Sequence, residues 1–163
     1  MKLSVVVPAH NEAECIESTV REIVATLAVR GIEHEIVLVD DNSTDLTGTI
    51  ADRLAQECPS VRAVHRLPPA GFGRAVRDGL AAATGEAMVV VMGDASDDPA
   101  DICIYYDTLV HGADCVFGSR FRQGAEVRDY PRVKFLVNRL ANTFIRVVFG
   151  IRYNDMTNAC LLY

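Results

Sequence analysis

The sequence predicts an α/β protein, a mostly parallel sheet flanked by helices in a single domain. Two observations carry this. Short valine-rich runs alternate with segments of helical period, the order that parallel strands joined by crossover helices require. The runs, such as LSVVVP and AMVVVM, are apolar on consecutive positions. That suits strands buried on both faces rather than on one. The chain has 163 residues, half of them hydrophobic, and a chain of this size buries roughly 68–70% of its extended surface. Such a composition excludes disorder.

The elements follow in order. Apolar runs at residues 3–8, 35–39, 61–65, 87–92 and 114–117 are the expected strands. Ile16, Val20, Ile23, Val24 and Leu27 repeat at three and four, the stripe of a first helix that Gly31 stops. Asn11 with Glu14 three residues on fits a capping box at its start. Further helices are expected over residues 45–57, 73–83 and 99–110. In sheets of this kind ligands bind beyond the carboxyl ends of the strands. The polar residues gather there: PAHNE after the first strand, DDNSTD after the second, GDASDD after the fourth and GSR after the fifth.

Asp94, Asp97 and Asp98 follow the most apolar run of the chain. Carboxylates so close repel one another unless a cation neutralises them. Mg²⁺ or Mn²⁺ would take one or two of them and complete its shell with substrate phosphates. Asp98 before Pro99 also reads as a helix cap, leaving Asp94 or Asp97 for the metal. One carboxylate of the Asp40-Asp41 pair suits a nucleobase N–H, although DNSTD equally reads as an Asx turn with a helix cap. Gly71-Phe72-Gly73 reads as a tight turn close to the nucleotide, with Arg74 within reach of a phosphate. Arg120 can clamp a diphosphate or bridge to the aspartates. His10, beside a helix start, reads first as a residue that packs or hydrogen-bonds locally, then as one that stacks on or touches the donor, and least as a general base. With no tryptophan and no basic–aromatic stripe, nucleic acid is not an expected partner.

Charge divides the chain. Residues 119–163 carry eight Arg and Lys against three Asp and Glu, a net +5, whereas residues 1–118 carry eight against nineteen, a net −11. Within the basic part, residues 131–149 form a helix whose stripe includes Val133, Leu136, Val137, Leu140 and Phe144, with Arg132, Lys134, Arg139 and Arg146 around it. Such a helix can lie on an anionic membrane surface or pack on a sheet with its arginines snorkelling. No apolar run is long enough to span a bilayer. The beginning of the chain does not read as a signal peptide, and five scattered cysteines point to a reducing compartment. The expectation is a cytoplasmic protein, peripheral on the cytoplasmic face of a membrane.

Five blocks, VVVPAHNEAECI, LVDDNSTDLTGTIA, GFGRAVRDGLAAATGE, VVVMGDASDDPADI and GSRFRQG, resemble family 2 glycosyltransferases, and within them the dolichol-phosphate mannosyltransferase-like branch. The resemblance covers nearly the whole chain. It implies a GT-A fold, a Rossmann-like sheet that binds a nucleotide sugar with Mg²⁺ or Mn²⁺. It also implies inversion at the anomeric carbon and a polyprenyl or dolichyl phosphate acceptor. Residue by residue, Pro8, Ala9 and Glu12 match the first donor-binding segment, and Asp40 and Asp41 the base-recognition pair. Arg120 matches the arginine expected at the diphosphate or the acceptor phosphate. Arg132 or Arg139 matches a basic residue on the acceptor phosphate. Asp155-Met156-Thr157-Asn158 resembles a later segment of the family. Two positions depart from the pattern. His10 stands where many members have tyrosine, and GDASDDP replaces the usual DxD, so that Asp94 stands for either family aspartate with Asp97 as the second. The metal and Arg120 would then stabilise the departing diphosphate. The chain ends at Tyr163, where members of the family continue, so a further C-terminal part is expected.

Two other readings compete. A sugar nucleotidylyltransferase shares the sheet and the metal, but it begins with a glycine-rich loop and a lysine where this chain has PAHNEAE. A module that binds a nucleotide sugar without turnover is the other. The donor base, GDP- or UDP-linked, is not legible.

Overall fold

The computed structural model describes residues 1–118, 132–150 and 161–162, with backbone alone at 132–135 and 161–162. The chain divides into two compact units, Met1–Val116 with Cys160–Tyr163, and Phe117–Ala159.

The first unit alternates strand and helix: β1 (Leu3–Ala9), α1 (Ile16–Val29), β2 (His34–Asp40), α2 (Thr47–Glu57), β3 (Val61–His65), α3 (Phe72–Ala82), β4 (Ala87–Val90) and α4 (Pro99–Val110). Then come β5 (Val116–Phe117), α5 (Arg132–Phe149) and β6 (Leu161–Leu162). The sheet order is β3-β2-β1-β4-β6-β5. β1, β2, β3 and β4 run parallel, and β6 pairs antiparallel with β4. This is the α/β class that the alternation predicts, with an antiparallel strand in addition.

All seven residues of β1 are buried, because helices cover both faces of the sheet. On one face Leu3, Val5, Val7, Ile36 and Leu38 meet Ile16, Val20, Ile23 and Leu27 of α1, Leu54 of α2 and Ile102 of α4. On the other, Val6, Val37, Val39 and Val90 meet α3 through Ala75, Val76 and Leu80. α3 lies close to the sheet because Gly79 has no side chain. A Cβ there would sit 2.4 Å from Val6 Cγ1 and 2.9 Å from Val39 Cγ2.

Helix ends show where local signals hold. α4 starts as expected: the Asp98 side chain accepts from the Ala100 N–H at 2.9 Å, with Pro99 first in the helix. Gly31 follows α1 with φ of +66°. The capping box at Asn11 and Glu14 is not formed. α1 begins later, at Ile16, and no side chain caps it. Asn11 has φ of +57° and turns its amide to another loop.

In the second unit α5 occupies Arg132–Phe149. Leu136, Val137, Leu140, Phe144 and Val147 are exposed along it.

Candidate active site

The strand order creates the site. From β1 the chain moves one way, to β2 and β3, and then crosses to β4 on the other side of β1. Ligands of such sheets bind at this switch, beyond the carboxyl ends of the strands. Three strand ends lie in one row: Ala9 is in register with Asp40, and Asp40 with His65. The ladder continues one residue further, where the Asp41 N–H donates to Ala9 O (2.8 Å) and the Arg66 N–H to Asp40 O (2.9 Å).

The loops after β1 and β2 are joined by hydrogen bonds. The Ser43 hydroxyl accepts from the Asn11 N–H (3.0 Å), and Asn11 Oδ1 from the Thr44 N–H (2.8 Å). The Thr47 hydroxyl accepts from the Glu12 N–H (2.8 Å), and Asp45 Oδ2 from the Ala13 N–H (3.1 Å). These contacts explain the late start of α1. Asn11 spends its amide across the cleft, where it orders two loops, and so is not a local cap. His10 Nδ1 lies 2.8 Å from the Asp41 carbonyl, which fixes Nδ1 as the protonated nitrogen. The Nδ1 bond thus reaches the loop after β2, a longer range than the local contact that the sequence predicts.

Asp40 and Asp41 are both buried, but their partners differ. Asp41 Oδ1 pairs with Arg66, and Oδ2 accepts from the Gly71 N–H at 2.6 Å. Arg66 is also paired with Asp78 of α3. The turn at Gly71 is therefore anchored on Asp41, and Arg74 of the following turn lies 3.4 Å from Pro69 O. Asp40 Oδ1 accepts from the Ser43 N–H (3.1 Å), and Oδ2 lies 3.1 Å from His65 Nδ1. Burial pushes the Asp40 carboxyl up, but the bonds from Ser43 and His65 outweigh it and hold the pKa below the usual value. Asp40 is thus ionised at neutral pH. The Asx turn does not exclude a further contact at Asp40, since each carboxylate oxygen has a second lone pair.

At the switch itself, β1 and β4 approach closely. A Cβ on Gly93 would lie 3.1 Å from Pro8 O and 3.3 Å from Ala9 Cβ. Beside it, Cys15 Sγ lies 3.4 Å from Glu12 Oε2 and 3.5 Å from Gly93 O. Burial, then the Glu12 hydrogen bond, push the Cys15 thiol up, so it stays protonated and is a poor metal ligand. The acidic loop follows. Asp94 is exposed, and its Oδ1 accepts from the Ser96 N–H at 3.0 Å around Ala95, whose φ is +57°. Asp97 Oδ2 accepts from the Met92 N–H at 2.9 Å. β4 ends at Val90; the Val91 N–H still donates to Val6 O (3.0 Å), and the turn takes Met92, expected in the strand. Among the described residues no three His, Cys, Asp or Glu side chains converge on one point.

Of the expected site residues, Pro8, Ala9, Glu12, Asp40, Asp41, Asp94 and Asp97 lie at the ends of three neighbouring strands and in their loops. Arg139 is on α5 in the other unit, and the side chain of Arg132 and all of Arg120 lie outside the described residues. So does the segment 155–158. The reading from sequence passed over His65 and Arg66. The available signal was their place at the end of the third strand, on the same edge as the aspartates.

A parallel sheet with an acidic loop and buried aspartates at its switch point defines a nucleotide-binding α/β domain of the GT-A kind. The chain belongs to glycosyl transferase family 2, whose model matches residues 4–163. It is similar to the dolichol-phosphate mannosyltransferase of Pyrococcus furiosus, 33% identical over 139 residues, or 85% of this chain and 39% of that protein. It is similar also to the polyprenol monophosphomannose synthase of Mycolicibacterium smegmatis, 33% identical over 162 residues, or 94% of this chain and 58% of that protein. Among solved structures, the glucosyl-3-phosphoglycerate synthase of Mycobacterium tuberculosis in complex with Mn²⁺, UDP and phosphoglyceric acid matches with a TM-score of 0.71 at 26% identity, over 99% of this chain and 55% of that one. The chain thus spans 39–58% of the length of the two curated relatives.

Proposed function

We propose that residues 1–163 belong to one glycosyltransferase domain that moves a sugar from a nucleoside-diphosphate sugar, GDP- or UDP-linked, to a polyprenyl or dolichyl phosphate. The observation that carries this is the strand-end row, which sets the ionised Asp40 beside the β1–β4 switch and its acidic loop. The similarity to two polyprenyl-phosphate mannose enzymes supports the acceptor class.

Each group has a role in this reading. Pro8, Ala9 and Glu12 line the donor cleft, and Asp40 accepts from the base. Asp41 shapes the pocket through Arg66 and Gly71. Asp94 and Asp97 would hold Mg²⁺ or Mn²⁺. Their oxygen donors suit a hard ion, and the exposed Asp94 leaves room for substrate phosphates. Mn²⁺ in the related synthase complex agrees with this. When bound, the ion neutralises the charge of the leaving diphosphate. Arg120 assists there or at the acceptor phosphate, which Arg132 or Arg139 also contacts. The acceptor phosphate oxygen attacks the anomeric carbon from the face opposite the diphosphate. The new C–O bond forms as the bond to the diphosphate breaks, and configuration inverts. That oxygen is already ionised at neutral pH, so no general base is needed.

The protein works on the cytoplasmic face of a membrane. Among the described residues no helix is long and apolar enough to cross one, and α5 is the docking element. Its exposed Leu140, Phe144 and Val147 face the lipid, with Arg139 and Arg146 at the headgroups.

The decisive assay is transfer of radiolabelled mannose or glucose to a short polyprenyl phosphate with Mn²⁺, beside co-sedimentation with anionic and neutral vesicles. Nucleotide binding without transfer would favour a binding module. Failure to sediment with anionic vesicles at low salt would remove the membrane role of α5.

A further inference from the structure

Asp40, His65 and Asp52 form a line of polar side chains that leads from the strand-end row to solvent. His65 closes β3 in register with Asp40. Its Nδ1 lies 3.1 Å from Asp40 Oδ2 and its Nε2 lies 2.8 Å from Asp52 Oδ1 on α2. A neutral imidazole has one N–H and one lone pair, so between two carboxylates it sets a lone pair against an anion. The imidazolium alone donates at both ends. Asp52 first, and then Asp40, raise the pKa of the ring against a smaller effect of burial. The charged groups that meet the ring are Asp40 from β2 and Asp52 from α2. Arg66, next in the chain, is paired with Asp41 and with Asp78 of α3. Gly48 of α2 closes over the pair. A Cβ there would lie 2.8 Å from Asp40 Oδ2 and 3.5 Å from His65 Cε1, so the carboxylate has little room to move that way.

We propose that His65 is a positioning residue of the donor pocket, whose imidazolium holds Asp40 Oδ2 and so aims the carboxylate at the nucleobase. This rests on the reading of Asp40 as the base-recognition residue. With one proton left, the ring donates to Asp40 or to Asp52 but not to both, and the aim is shared between two arrangements. The tight-binding form is the protonated one. Affinity is therefore full below the raised pKa of His65 and falls as pH rises through it. Asp52, outside the pocket, sets where that fall occurs.

The test is calorimetric titration with UDP and with GDP in the presence of Mn²⁺, from pH 5.5 to 9, on the wild type, His65→Gln and Asp52→Asn. NMR titration of the His65 ring in the free protein, assigned by its loss in His65→Gln, accompanies it. The wild type should lose affinity about three- to tenfold across the His65 titration, the range that the net contribution of one ordinary hydrogen bond spans. His65→Gln should lack that step, and Asp52→Asn should move it down towards the ordinary histidine value of about 6.5. Ionisation of the nucleotide itself is common to all three proteins and cancels in the comparison. A merely structural His65 would lower affinity equally at every pH. Identical pH profiles for wild type and His65→Gln, or a His65 midpoint at or below the ordinary value, would overturn the proposal alone. Absence of UDP and GDP binding to the wild type at every pH would overturn the donor reading, and the proposal with it.

Discussion

Asp41 and Arg66 form a buried ion pair between the ends of β2 and β3, with 5% and 10% of the two side chains exposed. The carboxylate also receives the Gly71 N–H, so one aspartate anchors both a guanidinium and the turn into α3. Removing one partner of such a pair leaves an uncompensated charge in a medium that solvates it poorly. Arg66→Ala should therefore lower the urea unfolding midpoint, because it leaves the Asp41 carboxylate without its cation. An unchanged midpoint would show that water reaches Asp41 readily.

The neighbouring aspartate should behave differently. Asp40→Asn keeps the shape but places an amide where the nucleobase N–H needs an acceptor, or loses charge if its oxygen faces the base. It should weaken nucleotide binding by about 1–3 kcal/mol in calorimetry, with a smaller loss of stability from the charge that Ser43 and His65 bond. Asp41→Asn should show the opposite balance, a larger loss of stability than of binding at temperatures where it stays folded. Equal binding by both folded variants and the wild type would assign the pair to loop shape alone.

Asp94→Asn should abolish the gain in UDP or GDP affinity on adding Mn²⁺ and leave thermal unfolding unchanged. The carboxylate is exposed, and its one described hydrogen bond, from the Ser96 N–H, is one that asparagine Oδ1 can also accept. Persistence of the full Mn²⁺ effect in this variant would move the metal away from Asp94.

Two glycines of α3 should respond with opposite sign. Gly79→Ala forces a methyl to within 2.4 Å of Val6 Cγ1, so α3 must lift from the sheet, at about 1–3 kcal/mol. Gly73→Ala meets nothing within 4 Å and should stabilise by about 0.5 kcal/mol through helix propensity. Chemical denaturation of the pair checks both, and a stable Gly79→Ala variant would argue against the close packing.

Acid stability should depend on Glu35, far from the site at the start of β2. Burial works to raise its pKa, but bonds from the Ser4 hydroxyl (2.6 Å) and from the Thr84 N–H (2.6 Å) and hydroxyl (2.8 Å) prevail and hold it at about 2. A depressed carboxyl stabilises the fold above its unfolded pKa. That contribution, about 2–3 kcal/mol, fades as pH falls from about 4.5 to about 2. Glu35→Gln should be less stable than wild type at pH 7, and the two should converge near pH 2. Parallel stability curves would assign the acid limb to other groups.

The sequence by itself determined the class of the fold, the order of its elements and the edge that carries the chemistry. Those are local matters. Consecutive valines mark a strand covered on both faces, a three-and-four repeat marks a helix, and Asp98-Pro99 caps one within two residues. Because strands alternate with helices, the polar loops after β1, β2 and β4 had to fall on one side of the sheet. Tertiary structure decided what each of those residues holds. Asn11 fits a capping box locally, yet it bonds Thr44, 33 residues away, because the parallel pairing of β1 with β2 brings their loops together. Asp40 and Asp41 look alike in sequence. The register of β3 gives one of them a histidine and the other an arginine, each 25 residues distant. Strand order and register have no local signature. They follow from how the two apolar faces are covered, and here those two choices separated a carboxylate that meets a histidine from one tied to an arginine and the turn into α3.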